Sequence, residues 1–179
     1  METAIRERLS CFAGAPSLET FEALRRELIK SPAYAPYSGD LRKLENLFQQ
    51  KRHQEVIQAF QRSLPNLLLS PRAHLLAGIA HKELGQEQES KAEIMLMQLC
   101  LHGIQMTGDG THERPFKVTS VSDEYDVLEA MQKKLQMQAL SSAGGKPCDV
   151  LTLEDGTVLV FDISDCMAKL SDSMQPRNG

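Results

Sequence analysis

The sequence predicts a mostly α chain: antiparallel helical hairpins followed by a small βαββ (α+β) segment packed on them. Three observations lead there. Apolar residues recur at helical spacing from Ile5 to Leu101. The pattern of residues 41–64 returns after an offset of 34 residues. After Thr107 the period shortens to strand alternation, and Glu154-Asp155-Gly156 marks a tight turn.

Length and composition bound the answer. A chain of 179 residues and 20.0 kDa suits one domain, or two subdomains packed on a shared core. With 41% hydrophobic and 25% charged residues it belongs to the globular class rather than a disordered or fibrous one. The first residues carry charges where a secretory leader would place its apolar run, and no segment is long and apolar enough to span a bilayer. A cytoplasmic protein without membrane contact is therefore expected. Cys11, Cys100, Cys148 and Cys166 are scattered and form neither a disulfide framework nor a metal knuckle, so reduced thiols are expected. A net charge of -4 argues against nucleic acid as a partner, although residues 41–74 hold Arg42, Lys43, Lys51, Arg52, Arg62 and Arg72 against Glu45 and Glu55.

The first hairpin follows from Ile5, Leu9 and Phe12 on one helix, ended by Gly14 and Pro16, and from Leu18, Phe21, Leu24 and Leu28 on the next. Ser17 is placed to cap that second helix, with Glu19 in its electropositive first turn. Two prolines and a glycine in residues 31–40 forbid further helix, and Tyr34 and Tyr37 are expected to pack over a helix end. Asp40 is then expected to cap the third helix.

Leu44, Leu47 and Phe48 form one apolar face, and Val56, Ile57, Phe60 and Leu64 form the next after a polar break. Setting Lys51 on Gly85 superposes Leu44 on Gly78, Val56 on Ser90 and Phe60 on Ile94. On these residues the segment 40–106 resembles the tetratricopeptide-repeat superfamily. Gly78 and Gly85 occupy the two glycine positions of that family, and Leu44 and Lys51 replace them in a degenerate first copy. The resemblance implies stacked helical hairpins with a short partner-binding groove, and residues 1–39 as a preceding cap and connection. The helix around residues 92–101 is apolar nearly all round, so burial on more than one side is expected.

In the tail, residues 116–121 alternate as a strand, residues 125–140 carry a helical stripe of Val127, Leu128, Met131 and Leu135, and residues 148–153 and 157–163 flank the Glu-Asp-Gly turn. Residues 107–170 thus form the βαββ subdomain, and residues 171–179 are expected to be disordered. The runs Gly108-Asp-Gly-Thr, Pro115-Phe-Lys-Val, Asp123-Glu-Tyr-Asp-Val-Leu and Phe161-Asp-Ile are similar to those of an uncharacterised bacterial family. That similarity implies architecture and no catalytic residue.

No constellation reaches the standard of a catalytic motif. Gly108-Asp109-Gly110-Thr111 lacks the spacing and lysine of a phosphate loop, and a tight turn is the simpler reading. Asp109, Asp123, Glu124 and Asp126 lack the alternation of a calcium loop, and Asp123 with Glu124 suit a helix N-terminus. Cys100 and His102 are a lone close pair without a second, and His81 falls at a packing position. No catalytic residue, cofactor or metal is expected. The expected function is a non-enzymatic adaptor or scaffold binding a protein or peptide through Arg42, Lys43, Asn46, His74 and Gly78 on the first helices of the repeats. The alternative is a small-ligand-binding protein or enzyme with its site where the repeats meet the tail. A monomer, or a weak dimer through the last strand, is expected.

Overall fold

A computed structural model describes residues 2–174 and is mostly α with one small sheet. The chain forms two compact units, one of Met1–Tyr34 with Ser38–Gly103 and the other of Ala35–Tyr37 with the residues from Ile104 onward.

The helical unit opens with α1 (Thr3–Gly14) and α2 (Leu18–Lys30), which pack through Ile5, Phe12, Phe21, Leu24 and Leu28. The Phe12 and Phe21 rings tilt together at 5.3 Å between centroids. Ser17 starts α2 as expected: its hydroxyl accepts from the Thr20 amide while Thr20 reaches back to the Ser17 amide, satisfying two otherwise orphaned donors. This hairpin, expected as a cap preceding the first repeat, has Phe21 against Gly103 of the last helix of the unit. A Cβ on Gly103 would stand 2.3 Å from that buried ring, so even alanine costs about 1–3 kcal/mol of overpacking there.

Four helices follow: α3 (Asp40–Gln49), α4 (His53–Arg62), α5 (Pro71–Glu83) and α6 (Glu87–Met106). Leu44, Val56, Ile57, Phe60, Ala73, Ala77 and Ala80 share one buried cluster. Cutting Leu44, which has 0% exposure, to alanine would cost about 2–5 kcal/mol. Asp40 does not cap α3. It is the first helical residue after Gly39, and its Oδ2 accepts instead from Ser38 and from Asn66 Nδ2 at 2.9 Å.

The two turns repeat bond for bond. Arg52 N–H donates to Leu47 C=O and Gln86 N–H to His81 C=O, while Lys51 and Gly85 donate to Phe48 and Lys82. Each acceptor in the second turn lies 34 residues beyond its equivalent in the first. Both turns need a left-handed residue, Gly85 at φ 75° and Lys51 at φ 57°. Helix α6 differs from expectation in its burial. Ser90, Cys100, Gly103 and Ile104 are buried, whereas Ile94, Leu96, Met97, Leu99 and Leu101 are half-buried and Met95 is 52% exposed.

The second unit holds β1 (Phe116–Lys117), α7 (Ser122–Ala130), β2 (Leu135–Ala143), β3 (Lys146–Leu153), β4 (Val158–Asp162) and α8 (Ser164–Met174). Strand order is β1-β4-β3-β2, with β1 parallel to β4 and the other pairs antiparallel. Phe116, Leu151, Leu153, Leu159 and Phe161 form its buried core face, with the rings of Phe116 and Phe161 in contact at 5.6 Å.

Three expectations fail here. The helix expected over residues 125–140 stops at Ala130, and residues 135–143 are a fourth strand, so βαββ becomes βαβββα. Gln132 adopts φ 55°, and the Met131 and Lys133 amides bond back to Val127 and Leu128, which is a helix end usually written with glycine. The last strand offers no edge for a dimer. β4 lies inside the sheet, flanked by β3 and β1, with Val160 N–H donating to Gly110 C=O. Finally, α8 continues through Met174 where disorder was expected from residue 171, and residues 175–179 lie outside the described residues.

Candidate functional site

The helical unit carries an exposed trough. One part, of about 430 Å³, runs between α5 and α6 and is lined by Ile79, Ser90, Ile94, Met95 and the charged Lys82, Lys91 and Glu87. An adjoining part, of about 460 Å³, shares Ile79 and is walled by Phe48, Gln49, Lys51, His53 and Glu83. The apolar floor exists because Gly78 lets α6 approach α5 closely; a Cβ there would stand 2.9 Å from the end of Ile94. Among the described residues neither Lys82 nor Lys91 has a carboxylate partner. The rim sets Lys51, Lys82 and Lys91 against Glu83 and Glu87, a mixed charge with a small cationic excess around an apolar floor that suits an amphipathic helix.

The five residues expected to meet a partner divide. Arg42, Lys43 and Asn46 are exposed on α3, with no side-chain partner among the described residues. Arg42 and Asn46 lie along the same side of α3 as Gln49, which lines the trough. His74 and Gly78 are buried and present nothing to a partner. The residues missed from sequence are Ile79, Ile94 and Met95, whose apolar spacing read as core because a single helix does not show which neighbour is absent.

His74 has a structural role instead. Its Nδ1 meets Glu93 Oε2 at 2.6 Å and its Nε2 meets Leu68 C=O at 2.8 Å, tying α5 to α6 and to the preceding loop. Burial disfavours the charged ring, yet Cys100 beside it and the hydrogen-bonded Glu93 outweigh it and push its pKa up to about 10. His81 is likewise occupied, its Nδ1 at 2.6 Å from Gln86 Oε1.

The second unit buries carboxylates. Asp123 and Glu124 stand in the first turn of α7 at 0% exposure, and Asp149 on β3 is 7% exposed. Gln138 Nε2 from β2 donates to Asp149 at 2.8 Å and to Glu124 at 3.2 Å, while the Tyr125 hydroxyl donates to Gln138 Oε1. Desolvation, then the charge of Asp149, pushes Glu124 up to about 9, so it is neutral at pH 7. Desolvation and Asp126 push Asp123 up to about 7, opposed by three bonds from Thr119 and Ser120 that its Oδ2 accepts. Burial raises Tyr37 and Tyr125 as well, helped by the charges of Asp149 and Glu124. Glu124 Oε1 and Asp123 Oδ1 are buried without a hydrogen-bond partner among the described residues. Among the described residues no three His, Cys, Asp or Glu side chains are arranged to hold a metal ion.

A cleft of about 330 Å³ lies on the other face of this sheet, between Cys148 and Asp162 and the turn carrying His112 and Arg114. Its charges are partly spent: Arg114 pairs with Asp109 at 3.3 Å, and Lys146 lies 3.9 Å from Asp162. The Gly108–Thr111 loop is a turn whose own amides are used, Asp109 and Gly110 donating to Arg114 C=O and Thr111 to the Asp109 carboxylate. Gly108 permits it, since a Cβ there would stand 2.3 Å from Arg114 C=O.

No helix of the described residues is long and apolar enough to cross a membrane. No curated protein and no solved structure matches the chain. The family model that does match runs over residues 27–171, from the end of α2 into α8, and so includes both the trough and the buried carboxylates. On that span, the chain belongs to the family described as a domain of unknown function (DUF4919).

Proposed function

We propose that the chain is a non-enzymatic adaptor whose helical unit docks an acidic amphipathic segment of another protein. The observation that carries this reading is the apolar floor of the half-buried Ile79 and Ile94 and the exposed Met95 beside Lys82 and Lys91, which lack carboxylate partners among the described residues and outnumber Glu87 there. Water-exposed apolar surface rimmed by charge is the usual mark of a recognition groove. The 34-residue offset of the two turn-bond sets supports a tetratricopeptide-like origin for α3 to α6, with Arg42 and Asn46 extending the trough along α3.

The test is a displayed library of amphipathic helices sorted on the full chain. Acidic sequences are expected to dominate, and Met95→Asp with Lys91→Glu is expected to weaken them at least tenfold. Enrichment of basic sequences, or binding unchanged in that variant, would remove the reading.

A second reading assigns small-ligand binding or catalysis to the sheet unit, and the cleft beside Cys148 and Asp162 favours it by its metabolite-sized volume of about 330 Å³. Titration of the full chain with phosphate and dicarboxylates, followed by amide shifts of Lys146 and His112, decides it. Shifts scattered over the surface would exclude a defined site.

A further inference from the structure

Strand β2 is an edge without the usual protection. It runs for 9 residues at the end of the sheet, and seven of the residues from Gln136 to Ser142 include only one, Gln138, that is not exposed. From Leu135 to Ala143 it contains no charge, proline or glycine, the devices by which edge strands avoid pairing with a foreign strand. Met137 is 58% exposed and Leu140 65%.

The register identifies the open backbone groups. Ile163 N–H donates to Pro147 C=O and Leu153 N–H to Thr157 C=O, so odd-numbered residues of β3 turn their polar groups toward β4. Even-numbered Cys148 and Val150 therefore turn toward β2, where they meet Ser141 and Ala139. On β2 the remaining residues, Gln138, Leu140 and Ser142, direct N–H and C=O to the free edge. The two-glycine turn at Gly144 and Gly145, with φ 57° and 79°, fixes the same phase by closing on the pair Ala143 and Lys146.

We propose that β2 pairs antiparallel with β2 of a second copy about a two-fold axis at Leu140. In that register Leu140 faces its own equivalent and Gln138 faces Ser142, so all three outward residues of each strand find partners. The arrangement is self-complementary, as a two-fold contact requires, and an uncharged strand opposes no like charges. Each Leu140 side chain leaves water against the other. The contact is smaller than the roughly 1,200 Å² of a standard interface, so a weak, concentration-dependent dimer is expected. The inference does not rest on the docking trough.

Sedimentation velocity of the full chain from 1 to 500 µM is expected to show a monomer–dimer equilibrium. Leu140→Lys sets two ammonium groups opposite each other, and Leu140→Pro removes an N–H that points away from β3; each is expected to raise the dissociation constant at least tenfold. Register is read in a Cys11→Ser background, because Cys11 is exposed. There Leu140→Cys is expected to form an intermolecular disulfide on oxidation, since facing residues stand about 5.5 Å apart, and Ser142→Cys is not. A chain monomeric throughout, a dimer indifferent to Leu140→Lys, or cross-linking through Ser142→Cys instead would overturn the proposal.

Discussion

The helical unit and the sheet unit both bury ionisable side chains, but with opposite logic. In the helical unit His74 is held between Glu93 and a backbone carbonyl, so the ring keeps its positive charge against acceptors on both nitrogens. In the sheet unit Glu124 faces Asp149, and two like charges in a desolvated place are avoided by leaving Glu124 protonated. The first arrangement stabilises by attraction and fails when a partner is lost. The second fails when a proton is lost.

The largest expected effect breaks the first arrangement. His74→Ala leaves Glu93 and the Leu68 carbonyl without their partner in a closed site and is expected to cost about 3–5 kcal/mol, read by urea unfolding. A loss under about 1 kcal/mol would mean that water replaces the ring and that the pair is ornamental to stability.

The next effect separates the units by pH. Both groups have folded pKa values above their ordinary ones, so each contributes stability at low pH that is lost as pH rises through the folded value. For Glu124 the loss spans about 4.5 to 9, and for His74 about 6.5 to 10. Asp123, pushed up to about 7, adds a span of about 3.8 to 7 in the same unit, so between pH 5 and 6 only the sheet unit is expected to weaken, by up to about 1.4 kcal/mol per pH unit from each of the two carboxyls. Hydrogen exchange resolved by unit would show it. Glu124→Gln keeps an uncharged side chain of the same shape and should remove about half of the slope below pH 7 and most of it above, melting above the parent at pH 8 and no higher than it at pH 4. A parent whose sheet unit is equally stable at pH 5 and 8 would refute the shared-proton picture.

The smallest effect compares how the units end their helices. Lys51 and Gln132 both hold left-handed backbone that favours glycine. Replacing either by glycine is expected to raise stability by roughly 0.5–1 kcal/mol, whereas Gly85→Ala, at the equivalent turn, is expected to lower it by about 1 kcal/mol. Thermal unfolding of the three variants would test it, and a destabilised Lys51→Gly would show that the lysine side chain contributes more than its backbone costs.

Much of the helical unit was legible from sequence because its signals are local. Ser17 and Thr20 close a cap within one turn, and the turns at Lys51 and Gly85 draw every bond from residues at most five apart. The trough was not legible. Met95 and Ile94 have the spacing of core residues, and only the positions of neighbouring helices leave them open. His74 and Gly78 count toward the groove in the sequence for the converse reason, although Gly78 also fits a close helix contact, since the first helix of a hairpin does not reveal which of its faces the second covers.

The sequence by itself determined the helical period, the 34-residue offset and the hairpin turns, because each arises from bonds and contacts within a few residues. Tertiary structure decided the fate of residues 135–143. Leu, Gln, Met and Ala there favour helix locally, yet Gln132 ends α7 and β3 supplies a ladder of partners from Lys146 to Leu153. Pairing across a sheet satisfies every second backbone group of that segment, and the groups left over define the edge at Leu140.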